Sequence, residues 1–326
     1  MNQPVGILYA TAGGRYPFMA GVADALEAHL ATLGYSVAFR IGASGGSIVA
    51  SMKASGVNFL DWLSEAATPT NMKAVKIGGT RSLHNIKTYI QGRGFIDSND
   101  LVDLLQRTLP DSPNIQPCYS VSWCVSSEQP VVFRLTPENR ASRVAASCAL
   151  PVGLTSVKIR NGDLESRIQR QLKLEEDPDG FSAFRDGGLC PGFPLDLVEG
   201  IKHIPVVVVT IDIRDPGTKE KPISIFQSLL ARQVRVKILD NLNEIRSRRS
   251  LSVLCVPAPS YINSKFSARF DITEAEGRSM YDTGHTLART HLFLHPIYLP
   301  IAVEVPTPEP IAVEVPAEAG SEQCVQ

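Results

Sequence analysis

Apolar residues near the start of the chain fall into two short runs, each followed by a glycine-rich turn and then by helical spacing. Residues 5–10 form the first run, which ends in a Thr-Ala-Gly-Gly-Arg turn before helical spacing over about 18–33. Residues 35–41 form the second run, and it leads through Gly-Ala-Ser-Gly-Gly into an apolar helical segment at 48–52. The pattern predicts two successive strand–turn–helix units.

The rest of the chain continues this alternation. Further strands are predicted at 119–126, 131–135, 155–159, 205–213 and 251–257, and further helices at 98–106, 140–148, 225–246 and 273–291. The run at 206–211 is β-branched without polar alternation, which is typical of a strand that is covered on both faces. We therefore predict the α/β fold class, as a three-layer α/β/α sandwich with a central, mostly parallel sheet.

The pattern changes at the C-terminal end. The heptapeptide Pro-Ile-Ala-Val-Glu-Val-Pro occurs at 300–306 and again at 310–316, and residues 299–326 hold five glutamates and no lysine or arginine. Proline at this density prevents regular helix and ladder formation, so we expect one domain over residues 1–298 and a disordered tail over 299–326. Two interpretations of the tail stay open, a solvated end and a docking peptide.

Composition adds few constraints. The 32 basic and 33 acidic side chains nearly cancel, so no whole-molecule field favours nucleic acid as a partner. The sequence has neither a signal peptide nor an apolar stretch long enough to span a bilayer, which predicts a cytoplasmic protein, at most peripheral at membranes. The six cysteines form no C-x-x-C pair and are expected to be buried reduced thiols, with no metal site and no disulfide frame.

The turn after the second strand carries the first candidate chemistry. Gly42, Ala43, Ser44, Gly45 and Gly46 form a G-x-S-x-G pentapeptide between a predicted strand and a predicted helix. Small flanking residues allow a tight turn that exposes the serine hydroxyl, at a helix N-terminus that favours a developing oxyanion. On the pentapeptide alone, a plain helix N-cap with glycine turns is an equal interpretation.

A nucleophilic serine also needs an oxyanion site and a base. The amides of the Ala12, Gly13, Gly14 and Arg15 turn are candidates for the oxyanion site, and Arg15 either orders this loop or adds positive potential. A phosphate-binding turn of a nucleotide fold is the alternative, although the loop lacks G-x-G-x-x-G and a Walker lysine.

Asp186 is the candidate base, because an aspartate followed by Gly187 and Gly188 between apolar residues permits close backbone approach. An aspartate of ordinary pKa is a weak base, so this role requires burial or a hydrogen bond from the serine itself. A triad in which His203 or His285 follows Asp186 is the alternative to this dyad.

Together these segments resemble the patatin-like phospholipase family in order and spacing, over about residues 5–290. The resemblance implies Ser44 as the nucleophile, Asp186 as its dyad partner, and an oxyanion hole from the loop at 12–15 together with the amide of Gly45. Residues 143–151 are similar to the small-residue helix that the family places before its catalytic aspartate.

The chain departs from the family pattern in two places. Thr11 and Ala12 stand where glycines are usual and Tyr16 follows the arginine, so the oxyanion site is expected to be narrowed or reshaped. An insertion at 161–180 is expected to be a surface excursion near the site, either a lid or a solvated insert.

The resemblance implies hydrolysis of fatty acyl esters of phospholipids or lysophospholipids at a membrane surface, without a cofactor, and leaves an activating protein open as a partner. The alternatives are a catalytically impaired lipid- or protein-binding module of the same fold and, more weakly, a nucleotide-binding protein. A basic amphipathic helix at 225–239 is expected either to lie on lipid or, as an ordinary surface helix, to pack on the core.

Overall fold

The computed structural model describes most of the predicted domain. The described residues are 2–72, 97–109, 111–150, 154–190, 194–198, 201, 203–211, 251–262, 272–295, 297 and 299. The predicted helix at 225–246 and the tail beyond Leu299 lie outside these residues. Leu299 itself is buried, and its carbonyl accepts a hydrogen bond from the Tyr35 hydroxyl.

Eight strands and eight α-helices form the described part of the chain. The strands are β1 (Gln3–Tyr9), β2 (Tyr35–Ala43), β3 (Cys118–Cys124), β4 (Gln129–Arg134), β5 (Val157–Arg160), β6 (Phe181–Asp186), β7 (Val206–Thr210) and β8 (Leu251–Cys255). The helices are α1 (Tyr16–Thr32), α2 (Gly45–Ala54), α3 (Phe59–Ala66), α4 (Pro69–Met72), α5 (Ser98–Thr108), α6 (Arg140–Cys148), α7 (Ser166–Leu172) and α8 (Glu274–Leu294). None of these helices combines the length and the apolar character that a bilayer crossing requires.

All eight strands belong to one sheet with the order β5-β6-β3-β2-β1-β7-β8, and β4 pairs with β3. The pairs β1–β2, β1–β7, β2–β3 and β7–β8 are parallel, whereas β3–β4, β3–β6 and β5–β6 are antiparallel. This confirms the predicted α/β class with a mostly parallel central sheet. Because β1 lies between β2 and β7, the chain changes direction across the sheet beside the carboxyl end of β1, where α/β folds commonly bind ligands.

The sheet is covered on both faces, as the β-branched run of β7 predicts. Val207 and Val209 belong to the larger apolar cluster, which includes residues of α1, α2, α6 and α8. Val206 and Val208 belong to the second cluster, with Leu195 of the segment that follows β6. All four valines have no exposed surface. Among the described residues, the α-helices contribute to the larger cluster and none of them to the second.

The insertion at 161–180 is a surface segment in which half of the residues are exposed, but it is also anchored in the core. It joins β5 to β6, and its helix α7 buries Ile168 and Leu172 in the larger cluster. The Arg167 guanidinium donates to the backbone carbonyls of Val132 and Leu197, which fastens the segment to β4. The buried apolar residues do not fit an insert that is solvated throughout.

Strand β6 is absent from the sequence prediction, for a physical reason. Every second residue of the strand is buried, as in a regular strand, but the buried residues are Ser182, Phe184 and Asp186. Because two of these three are polar, the hydrophobic alternation that normally reveals a strand is missing. The strand with the candidate base is therefore the one that the apolar pattern conceals.

Candidate active site

Strands β2 and β6 meet end to end along one edge of β3. Ala43, the last residue of β2, pairs with Val121, and Asp186, the last residue of β6, pairs with the next residue of β3, Ser122. Strand β4 pairs along the length of β3, so β2 and β6 must share the other edge. Since β2 is parallel to β3 and β6 is antiparallel, their carboxyl ends point at each other. The register of β3 thus brings positions 44 and 186 together.

Ser44 occupies a tight turn between β2 and α2. Its backbone has φ 55° and ψ −133°, a conformation that side-chain-bearing residues rarely adopt and that is typically held in place by the surrounding structure. A Cβ on Gly46 would lie 2.5 Å from the backbone oxygens of Tyr9 and Ala10, so this position tolerates only glycine. The glycine allows α2 to start directly against the end of β1, which turns the Ser44 side chain out of the sheet.

The Ser44 and Asp186 side chains are hydrogen bonded. Ser44 Oγ donates to Asp186 Oδ2 at 2.7 Å, across 142 residues of chain, and both residues are buried. The other carboxylate oxygen, Oδ1, accepts the backbone N–H of Gly188 at 2.7 Å. A Cβ on Gly187 would lie 2.0 Å from the Val121 carbonyl oxygen, so the chain can turn here only with glycine. The Asp-Gly-Gly sequence thus aims the carboxylate at the serine.

Burial makes Asp186 a stronger base than an ordinary aspartate. Desolvation raises its pKa to about 6, although the hydrogen bonds from Ser44 and Gly188 act in the opposite direction. Two free thiols, Cys148 and Cys190, are close enough for the charge of Asp186 to raise their pKa further, in addition to the larger effect of burial. The carboxylate therefore sits among neutral groups, and an uncharged surrounding favours proton uptake.

The glycine loop lies against the serine turn. Gly13–Arg15 form a single helical turn before α1, with Gly13 at φ 55°. A Cβ on Gly45 would lie 2.5 Å from the carbonyl oxygen and 3.2 Å from the amide nitrogen of Gly13, so the glycine at 45 makes room for this backbone. The Gly13 backbone therefore lies against Gly45.

Arg15 orders this loop from inside. Its side chain is buried and Nε donates to the Ala12 carbonyl at 3.1 Å. Burial lowers the pKa of Arg15 to about 10, which leaves the guanidinium charged at neutral pH. Of the two roles that the sequence left open, the contact with Ala12 corresponds to ordering the loop.

Tyr16 follows the loop as the first residue of α1, and its side chain packs among aromatic residues of α3. The ring packs edge-on against Phe59 and Trp62, each at 6.1 Å between centroids. Burial, with a smaller effect from the nearby Cys148, raises its pKa well above the ordinary tyrosine value. The bulky residue at this position is thus accommodated by aromatic packing under the loop.

Ser147 on α6 is a residue that sequence reasoning missed. Its hydroxyl oxygen accepts the backbone N–H of Ser44 at 3.0 Å and lies 2.5 Å from the Val121 carbonyl oxygen and 2.7 Å from Ser47 Oγ. The carbonyl can only accept, so the single Ser147 proton goes to Val121, and Ser47 must donate to Ser147. One fully buried hydroxyl therefore links α6, β3 and the serine turn.

The histidines proposed for a triad do not contact Asp186. His203 is exposed, and the ring of His285 stacks on Tyr281 of α8. Among the described residues, the groups that hydrogen bond to the Asp186 carboxylate are Ser44 and Gly188. The described ranges also contain no cluster of three or more histidine, cysteine, aspartate or glutamate side chains that could hold a metal ion.

Comparisons with known proteins give remote structural similarity only. No protein-family model and no curated protein matches the sequence. VipD from Legionella pneumophila has a TM-score of 0.38 and 13% identity, over 88% of this chain and 67% of VipD. The type III effector protein ExoU has a TM-score of 0.32 and 13% identity, over 89% of this chain and 53% of ExoU.

ExoU in its heterodimeric complex with SpcU, from the type III secretion system of Pseudomonas aeruginosa, gives a TM-score of 0.34 and 14% identity, over 90% of this chain and 52% of ExoU. The chain thus spans about half the length of ExoU. Similarity at this level transfers neither a family nor an activity to this chain.

Proposed function

We propose that the protein is a serine acyl hydrolase that cleaves fatty acyl esters of phospholipids or lysophospholipids through an acyl-Ser44 intermediate. The observation that carries the proposal is the 2.7 Å hydrogen bond from Ser44 Oγ to the buried Asp186 carboxylate. A serine hydroxyl becomes nucleophilic when an adjacent base can take its proton. The choice of lipid esters comes from the sequence resemblance to patatin-like phospholipases.

In the first half of the proposed reaction, Ser44 Oγ attacks the ester carbonyl carbon while its proton moves to Asp186 Oδ2. The carbonyl electron pair moves to the oxygen, which becomes an oxyanion. The backbone N–H groups of Gly13, Gly14 and Gly45 are the proposed donors to this oxyanion, aided by the N-terminus of α2. The intermediate then collapses as the bond to the leaving alcohol breaks, and Asp186 returns the proton to the departing oxygen.

In the second half, Asp186 accepts a proton from water while the water oxygen attacks the acyl carbon. The resulting tetrahedral intermediate expels Ser44 Oγ, which regains its proton from Asp186, and the fatty acid leaves. Atoms and charges balance without a metal or organic cofactor. An aspartate of pKa about 6 suits both halves, because it can accept a proton and return it near neutral pH.

Covalent labelling and product analysis test this proposal together. We expect a fluorophosphonate to add to Ser44 of the wild type and not to the Ser44→Ala variant, and mixed phospholipid bilayers to release free fatty acid only with the wild type. Ser51→Ala, which removes a buried hydroxyl elsewhere on α2, serves as the matched control and should label normally.

The alternatives give other results. Labelling without fatty-acid release, or neither of the two, would favour the catalytically impaired lipid- or protein-binding module. Thermal stabilisation by ATP or NAD in an unlabelled protein would favour the nucleotide-binding alternative.

The Ser147→Ala variant should show how far the reaction depends on the link between α6 and the serine turn. The change leaves the Ser44 amide and the Val121 carbonyl without their buried partner. We expect a loss of about 2–4 kcal/mol in the free energy of unfolding, since each buried group left unpaired costs about 1–3 kcal/mol. Displacement of the nucleophile should lower kcat by roughly 10- to 100-fold.

Urea unfolding and steady-state hydrolysis of a soluble ester measure these two effects of Ser147→Ala. Ser142→Ala on the same helix is the control, because the Ser142 hydroxyl bonds the carbonyl of Asn139 at the helix start, away from the serine turn. Equal behaviour of the two variants would show that Ser147 does not hold the serine turn.

A further inference from the structure

We propose that Thr11 is a positioning residue for the second half of the reaction, in which its hydroxyl replaces the Ser44 hydroxyl as a hydrogen-bond donor to Asp186. The inference rests on the proposed function, and it concerns a residue to which the motif assigns no role. The family that the sequence resembles usually has glycine at this position, so the hydroxyl is an addition made by this chain.

The first observation is that the Thr11 hydroxyl oxygen is buried and has no hydrogen-bond partner among the described residues. Buried polar atoms in folded proteins are nearly always hydrogen bonded, and an exception costs stability. An unpartnered hydroxyl that persists beside a reactive group is a candidate for a contact that forms only during the reaction.

The second observation is the position of this hydroxyl. The point that a Cβ on Gly188 would occupy lies 2.4 Å from Thr11 Oγ1 and 2.9 Å from Asp186 Oδ1. The hydroxyl therefore stands next to the carboxylate, separated from it by the space that the missing side chain of Gly188 leaves open. Because both oxygens lie close to that one point, they are at most about 5 Å apart, and a rotation of the Thr11 side chain would have to shorten this distance for a hydrogen bond to form.

The reaction itself creates the need for such a donor. In the free protein the buried carboxylate has two donors, the Ser44 hydroxyl and the Gly188 N–H. In the acyl-enzyme, Ser44 Oγ is an ester oxygen without a proton, so Asp186 loses one of the two. A buried carboxylate with fewer donors has a higher pKa and takes up a proton from the medium more readily, which removes the base that must activate water.

The inference therefore places the function of Thr11 in deacylation and not in acylation. Thr11→Val keeps the shape of the side chain and removes the hydroxyl. We expect the variant to acylate at close to the wild-type rate and to deacylate about tenfold more slowly, the effect of one lost hydrogen bond to a charged group. Thr11→Ser, which retains a hydroxyl, should restore deacylation.

The experiment uses 4-nitrophenyl butyrate as the probe and the full-length protein. The first turnover of nitrophenolate release gives the acylation rate, and intact-mass spectrometry measures both the butyryl adduct on Ser44 during turnover and its decay, which gives the deacylation rate. The expected result is an adduct that accumulates on Thr11→Val and not on the wild type or Thr11→Ser.

Melting temperature provides a second readout, since removing an unpartnered buried hydroxyl should leave Thr11→Val at least as stable as the wild type. Ser51→Ala removes another such hydroxyl of the described residues and should leave both rates unchanged.

A Thr11→Val protein that deacylates at the wild-type rate would overturn the inference and leave the proposed function intact. Equal slowing of both halves, without rescue by Thr11→Ser, would also overturn it, because that result indicates a structural disturbance. If the wild type releases nitrophenolate no faster than Ser44→Ala does, the proposed function is overturned, and the inference with it.

Discussion

Asp186→Asn is expected to lower the rate of ester hydrolysis by about 10⁴-fold or more, because asparagine cannot accept the Ser44 proton. Ser44→Ala should be as severe, and the double variant no worse than either single one, since the two groups act as a unit. Steady-state rates on one soluble ester measure all three. An Asp186→Asn variant with more than a tenth of wild-type activity would falsify the dyad.

The same substitution should increase stability, which separates lost chemistry from lost folding. The pKa of Asp186 is raised from 3.8 to about 6 in the folded protein, so the favourable contribution of this group is complete below the unfolded value and is lost as pH rises through 6. At pH 7.5 the ionised group therefore costs on the order of 3 kcal/mol. Asparagine avoids that cost and can still accept the Gly188 N–H and donate to Ser44 Oγ.

We expect Asp186→Asn to have the higher free energy of unfolding by about 2–3 kcal/mol at pH 7.5 and to match the wild type near pH 4. Denaturant unfolding at the two pH values tests this expectation. If Asp186→Asn is less stable than the wild type at pH 7.5, the ionised carboxylate stabilises the fold and its burial carries no net cost.

The second large effect is the pH dependence of the wild-type reaction. Only the ionised form of Asp186 can take the Ser44 proton, so kcat/KM should be constant above about pH 7 and fall tenfold per unit below about 6. At pH 4 the rate should be roughly 100-fold below the plateau. A carboxylate of ordinary pKa would keep about half of its activity at that pH.

A histidine base would titrate in a similar range, so the pH profile needs a control. His203→Gln and His285→Gln should retain the wild-type profile, since neither ring contacts Asp186 in the structure. Circular dichroism across the range checks that the protein stays folded. A midpoint near pH 4, or a profile that either histidine substitution abolishes, would contradict the assignment of Asp186 as the base.

Much of the sheet could be predicted from apolar runs alone, because the parallel strands are buried on both faces. Strand β7 is the clearest case, since four consecutive valines can be accommodated only between two layers. Strand β6 could not be predicted in this way, because its inward positions carry Ser182 and Asp186. Helix α7 was hidden for another reason, since its two buried residues, Ile168 and Leu172, form too short a stripe to stand out in a charged segment.

The candidate site likewise contains residues that could be predicted from the sequence and residues that could not. Ser44 and Asp186 could be singled out because glycines mark their turns, and a Cβ at Gly46 or Gly187 would come within 2.5 Å of backbone oxygens. Ser147 and Thr11 have no such signal in the sequence. Their roles depend on contacts with residues that are distant in sequence. Ser147 bonds the Ser44 amide and the Val121 carbonyl, and Thr11 lies near Asp186.

The end-to-end meeting of β2 and β6 has a consequence for synthesis of the chain. The residues of the nucleophile, its turn and its helix are synthesised by position 54, but Ser147, which bonds the Ser44 amide, and Asp186, which ends the strand that pairs with β3, come much later in the chain. A nascent chain that ends before residue 181 therefore carries a serine without a partner. Under the proposed mechanism, hydrolysis would therefore have to wait until β6 pairs with β3.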